Sequence, residues 1–279
     1  MEFTYDDYKI LIDLLRESGY RISSYHDYEA FDRCVILRHD VDHSLRMAAN
    51  FAQFENILGV KSAYFILLSS DFYNVASARS IQYIDSIRAS GHEIGLHFDE
   101  SKYQGVLGAR QRTLNVSQRT LEASGGNGCK MIKNSEKTSE NEEKEQLFID
   151  LVEKETEMLS RILSMDIKCV SMHIPSKHTL ESNYIFRSVI NTYSSTFYSD
   201  FKYLSDSRHN WREPVIDIIK SGKYKRLHIL THPVWYYKKP ISTRQALLAF
   251  FKSARLEQYE FFDENFNNLQ EYITKDDVQ

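Results

Sequence analysis

The feature that most constrains this chain is an alternation. Short apolar runs, each too brief for a buried helix, are followed by segments of helical period with their own start and stop signals. The runs Cys34-Val35-Ile36-Leu37, Ser62 to Leu67, Glu93-Ile94-Gly95-Leu96, Lys168 to Met172 and Arg226 to Leu230 read as buried strands, and a further strand is expected near Thr196-Phe197-Tyr198. Between them the helical period returns. A first helix opens at Thr4, whose spacing to Asp7 fits a capping box, and closes at Gly19. Ser44 caps a helix with Leu45, Ala48, Ala49 and Ala52 on one face, ending at Gly59, and Ile81, Ile84 and Ile87 stripe another that stops at Gly91. Leu147, Leu151, Met158 and Ile162 mark a later helix. Strand–helix alternation of this kind builds parallel sheets covered by helices. Six or seven such units in one chain predict an α/β barrel or partly open barrel, whose loops after the strands carry function.

The rhythm breaks once. From Gln104 to Gln146 the chain carries Gly125-Gly126-Asn127-Gly128 and a charge-rich stretch from Lys133 to Glu145. Long structureless loops are rare inside compact domains. Residues 104–146 are therefore expected to form a variable, partly disordered surface insertion, helical around Gln111–Leu121 and loose from Gly125 to Glu142. An amphipathic tail over 243–279 reads as a long helical segment starting at Thr243 and running to about Ile273, with room for one break, and the whole chain over 1–279 as a single domain.

Several function classes are disfavoured by composition. A formal net charge of −4 argues against nucleic acid or an anionic membrane as partner, since either usually requires a basic face. No apolar run approaches the ~18 residues of a membrane span, and Met1 to Ile10 has no basic start of a secretory signal. Cys34, Cys129 and Cys169 are too far apart for a zinc knuckle and odd in number, which points to a reducing, cytoplasmic setting. The 18 Tyr and 16 Phe supply a core and also suit a site for ring-shaped polar ligands. The oligomeric state is not readable.

Four polar clusters directly follow expected strands. The first is Arg38-His39-Asp40-Val41-Asp42-His43. In extended chain, residues two apart face the same way, so Asp40 and Asp42 share a face, and two carboxylates so placed need a cation or a shared proton between them. The second, Gly91-His92-Glu93-Ile94-Gly95-Leu96-His97-Phe98-Asp99-Glu100, puts His97 at a strand end, whereas His92 precedes the strand and reads as structural. The third, Ser171 to Ser176, offers His173. The fourth, Leu230-Thr231-His232-Pro233-Val234-Trp235, holds His232 extended, because proline disfavours helix in the residue before it. The loop Ser205 to Glu213 combines a carboxylate, guanidiniums and an indole, suited to orienting a catalytic group or a sugar ring. Asp206, Arg208 and Trp211 of this loop, with Arg38, Glu100 and Trp235, are the candidate substrate contacts. Carboxylate plus imidazole is the ligand set for Zn²⁺ and its neighbours Co²⁺, Ni²⁺ and Mn²⁺. Such a cation activates water for hydrolysis, and one spare Asp and one spare His supply a base and an acid.

These motifs, in this order from Cys34 to Trp235, resemble those of the polysaccharide-deacetylase superfamily (NodB homology, carbohydrate esterase family 4), in its divergent branch tied to surface polysaccharides. The resemblance implies a distorted or partly open (β/α)7 barrel like a TIM barrel, a divalent metal, commonly zinc, and hydrolysis of N-acetyl groups from an amino sugar or polysaccharide. By motif position it implies Asp40 as general base, Asp42 and His97 as metal ligands and His232 as general acid. Two departures stand out. Val41 separates aspartates that are adjacent in better-known members, so base and ligand are exchangeable. Position 101 is Ser where a second His is usual, leaving His173 first and Glu100 second as the third ligand. Hydrolysis of another amide, a cyclic amide or an ester, or a degenerate glycan-binding barrel, are the competing readings.

Overall fold

The computed structural model describes residues 1–105 and 129–278, the side chains of 129–141 excepted. Its organising element is the strand β2 (Cys34–Val41), in which every residue is buried. A strand buried on both faces needs helices on one side and closed space on the other. Its side chains divide accordingly. Val35, Leu37 and Val41 enter the large core shared with the helices, while Cys34 and Ile36 enter a second core with Tyr25, Ala63, Phe65, Cys169, Phe197 and Phe201. This second core fills the inside of a curled sheet. The even-numbered residues of β2 therefore form an inward row that climbs through Arg38 to Asp40.

The sheet is parallel throughout its described pairings. Its other strands are β1 (Arg21–Ser23), β3 (Ala63–Leu67), β4 (Glu93–Phe98), β5 (Cys169–Met172), β6 (Ile190–Asn191), β7 (Lys202–Ser205) and β8 (Arg226–Thr231). Seven run in the order β6-β5-β4-β3-β2-β8-β7, and β1 pairs with the first half of β2. The result is a half-barrel, open along a seam between β6 and β7, its two edge strands.

Helices cover the outer face. In α1 (Tyr5–Glu17), Thr4 Oγ1 accepts from the Asp7 amide, and Tyr8, Leu11, Ile12 and Leu15 are buried at helical spacing, each contributing roughly 1.5–3 kcal/mol. α2 (Leu45–Ile57) and α3 (Ala78–Ala89) are capped by Ser44 and Ser77. α4 (Cys129–Leu163), α5 (Lys177–Glu181), α6 (Val215–Ser221) and α7 (Thr243–Asn265) follow. Among the described residues no helix is long and apolar enough to cross a membrane.

Several expectations need correction. The charge-rich stretch Lys133–Glu145 is not a loop: it belongs to α4, which is continuous from Cys129 to Leu163. That segment contains neither Gly nor Pro and is rich in Glu and Lys, residues that favour helix whatever their polarity. The helix expected around Gln111–Leu121 and the glycine-rich stretch Gly125–Gly128 lie outside the described residues. In α4 the buried face is Phe148, Val152 and Leu159, while Met158 is exposed, so the apolar stripe lies one residue off the expected one. The strand expected at Thr196–Tyr198 is a π-helical turn, Thr196–Asp200, and the strand follows it as β7. Finally, β2, β4 and β8 run past Leu37, Leu96 and Leu230, so Arg38, Asp40 and His97 lie within strands.

Candidate metal centre and active site

Parallel strands end on one side, so the chemistry carried after each converges there. Parity then selects what points inward. On β4, Gly95 and His97 share the inward row, and on β5 it is Cys169 and Ser171, with His173 next. On β8, His228 and Leu230 lead to His232. Gly95 shows how tight the interior is: a Cβ there would lie 2.4 Å from Phe65 Cε1 and 2.9 Å from Cys169 Sγ. Glycine is required because two neighbouring strands fill the space with Phe65 and Cys169.

At the top of these rows three donors converge. His97 Nε2 lies 3.1 Å from Asp42 Oδ1, His173 Nδ1 lies 3.5 Å from the same oxygen, and the two nitrogens are 3.3 Å apart. A tetrahedral ion with arms of about 2.05 Å separates its ligands by roughly 3.3 Å. The triangle has the size that a small divalent cation requires. Orientation agrees as well. His97 Nδ1 is 2.6 Å from Ser171 Oγ; with that nitrogen as the N–H donor, Nε2 presents a lone pair to the triangle. Asp42 Oδ1, though buried, has no hydrogen-bond donor in line with it, which suits an atom reserved for a cation. Burial opposes ionisation of Asp42, but His173 and His97 hold its carboxyl well below the usual range.

Asp40 flanks the triangle, its Oδ2 3.7 Å from His97 Nε2. Arg38 Nε and Nη2 donate to its two oxygens at 2.8 and 2.7 Å, a planar fork that fixes the carboxylate. Burial raises the Asp40 pKa, and Arg38, with His97 and His232, more than offsets it. Arg38 also donates to Tyr193 Oη at 3.2 Å and lies over the Phe65 ring.

On the other flank, His232 Nε2 is 3.8 Å from Asp42 Oδ2. Its backbone is extended (φ −115°, ψ 114°) before Pro233. Asp206 holds it twice, accepting from the backbone N–H at 3.1 Å and pairing with Nδ1 at 2.6 Å. Burial lowers the His232 pKa, but the charge and hydrogen bond of Asp206, together with the charges of Asp42 and Asp40, outweigh it and push the imidazole up to about 9.

A cavity of about 1020 Å³ opens over these groups, at the upper end of small-molecule sites. Asp40, Asp42, His97, His173, His232, Arg208 and Trp235 all line it. Four expected substrate contacts do not. Arg38 and Asp206 are fully buried and act through Asp40 and His232, because a buried charge must spend itself on a partner. Glu100 accepts from the Ser176 amide and Thr179 Oγ1, tying down the start of α5, and is neither a ligand of the triangle nor a wall of the cavity. Trp211 lines a separate cleft with Met1 and Phe3.

Other residues were missed. Ser171, Tyr193, Tyr198 and Tyr203 had no role from their types alone, while Arg212, a guanidinium of the Ser205–Glu213 loop, does line the cavity. Parity could have found Ser171, two residues before His173 on the inward row. His39 and His92, by contrast, belong to a separate buried network on the outer face of the sheet. There Glu55 accepts from Ser62 Oγ at 2.6 Å and Tyr64 Oη at 2.8 Å, with His39 Nε2 at 3.0 Å. No protein-family model and no curated protein matches the sequence.

Proposed function

We propose that the protein is a metal-dependent hydrolase of the polysaccharide-deacetylase type, removing N-acetyl groups from an amino sugar or polysaccharide. The observation that carries this reading is the Asp42–His97–His173 triangle, flanked on one side by Asp40 and on the other by His232. A divalent cation, most suitably zinc, would be held by those three residues and would supply Lewis acidity for the amide carbonyl and a lowered pKa for water. Asp40, fixed by Arg38, takes the proton from the attacking water. His232, charged at neutral pH and steadied by Asp206, gives its proton to the amine nitrogen as the C–N bond breaks, leaving acetate and a free amine. Trp235, largely buried and stacked with His209, contributes to the cavity wall.

The test is direct. The purified protein is loaded in turn with Zn²⁺, Co²⁺, Ni²⁺ and Mn²⁺, its metal content is measured, and acetate release from N-acetylated sugars and their oligomers is followed. One bound ion per chain, lost in H173A, with acetate release abolished in D40N, is the expected result. A protein that binds none of the four ions overturns the reading.

A further inference from the structure

The open seam of the half-barrel has a chemistry of its own. Between the edge strands β6 and β7 the cavity wall is formed by Tyr193, Tyr198 and Tyr203. Their rings follow one another, with centroids 5.8 Å apart in both steps and the second pair stacked at 18°. Tyr198 is 43% exposed, so the row offers a face and not only packing. Immediately after β7 the same wall continues into Arg208 and Arg212, both exposed. Neither has an acidic partner among the described residues, so both charges on this wall are free for a ligand.

The backbone that presents Arg208 is unusual. Arg208 and the next residue, His209, have φ of 61° and 57°, the left-handed region that non-glycine residues avoid. The turn is held from several sides. His209 Nδ1 is 3.0 Å from Thr243 Oγ1, its ring stacks on Trp235, and the Asn210 amide donates to the Asp206 carbonyl. A strained conformation over-determined by its surroundings marks a position where the side chain's direction matters. The cavity's other acidic side chains, Asp71 and Asp99, follow β3 and β4, away from the seam in the strand order.

We infer that the seam is a binding subsite for an anionic group carried by the substrate, a phosphate or carboxylate engaged by Arg208 and Arg212, with the tyrosine row stacking an adjacent ring. This rests on the hydrolase reading and narrows it: the substrate class becomes a charged N-acyl sugar, such as a sugar phosphate, a nucleotide-linked sugar or a sugar acid, in preference to a neutral one. Guanidinium groups suit either anion, since the planar fork matches both geometries.

The experiment is calorimetric titration of the zinc-loaded protein with N-acetylglucosamine, N-acetylglucosamine 1-phosphate, UDP-N-acetylglucosamine and N-acetylmuramic acid. Product amine is measured in parallel by mass spectrometry. Anionic sugars are expected to bind at least about tenfold more tightly than the neutral one, the effect of one added charge-assisted hydrogen bond. The preference should collapse in the double variant R208A/R212A, and thermal melting should show that variant folded, as both side chains are exposed. Tighter binding of UDP-N-acetylglucosamine than of the 1-phosphate would assign the tyrosine row to the nucleotide. Preference for N-acetylmuramic acid would assign the arginines to a carboxylate. Equal affinity for neutral and anionic sugars, no binding of any anionic sugar, or a preference that survives in R208A/R212A overturns the inference. Binding through the arginines without amine release would leave the subsite standing and remove the deacetylase reading instead.

Discussion

Asp206 grips His232 at two points, the ring Nδ1 at 2.6 Å and the backbone N–H at 3.1 Å, from a position with no solvent exposure. The pairing keeps the imidazole charged up to about pH 9 against the burial that would discharge it. D206N removes the charge and keeps the shape. The protonated fraction of His232 then falls at lower pH, so the alkaline limb of the rate profile moves down from about 9. At pH 8 the expected loss of kcat is on the order of 10²-fold, the lower end of what acid–base catalysis supplies. The check is a pH–rate profile of both proteins on one N-acetyl sugar; an unmoved alkaline limb would show that His232 is not the acid.

Ser171 orients His97 from behind. S171A leaves the three donors in place and frees the ring. Such supporting contacts typically contribute about 10–100-fold to metal affinity, and that loss is expected in competition with a zinc chelator. H173A, which removes a donor outright, is expected to lose more. Equal affinities for S171A and the parent protein would count against the lone-pair geometry at Nε2.

Gly95 sits where the interior leaves no room for a side chain. G95A puts a methyl group against Phe65 and Cys169 in a strand with neighbours on both sides. Overpacking of this kind costs about 1–3 kcal/mol. Urea unfolding of the two proteins should show it as a lower midpoint at unchanged slope.

Acid should destabilise the protein in two stages. Burial holds the His228 pKa down at about 3, well under its ordinary 6.5. The unfolded chain therefore takes up a proton that the folded one refuses, and stability falls as pH drops below 6.5, continuing towards 3. Glu55 acts lower. Burial opposes its ionisation, but His39 and the other partners hold it at about 2, against 4.5 ordinarily. Its contribution is complete above pH 4.5 and is lost as pH falls towards 2. Chemical denaturation across pH 8 to 3 should thus show a decline that begins below 6.5. The decline between 6.5 and 4.5 should be shallower in H228Q, and a profile unchanged by that substitution would remove His228 as its cause.

Much of this arrangement was legible because parity and strand ends are written in residue types. His97 and His232 follow apolar runs, and parallel strands carry whatever follows them to one rim. Burial was not legible. Arg38 and Asp206 look like surface charges in a list of residues, yet Arg38 closes on Asp40 of its own strand and Asp206 on His232, and both are interior. Thr196-Phe197-Tyr198 has the composition of a strand, yet it turns across the seam, where tertiary packing overrides propensity. The acidic and basic run of α4 looks like a loop to hydropathy, although its residue types favour helix. The third donor was open in sequence between His173 and Glu100, and what separates them is the capping of α5, which occupies Glu100.

The Arg38–Asp40 pair bears on how this protein would change over generations. Arg38 is wholly enclosed, and removing the partner of a buried charge costs about 3–5 kcal/mol. A descendant that had lost its chemistry would still be under selection to keep Asp40, for the sake of Arg38. Retention of Asp40 among relatives is then a record of folding, while drift at His173 or Ser171, which carry no such burden, would be the first mark of a lineage that had stopped using the site.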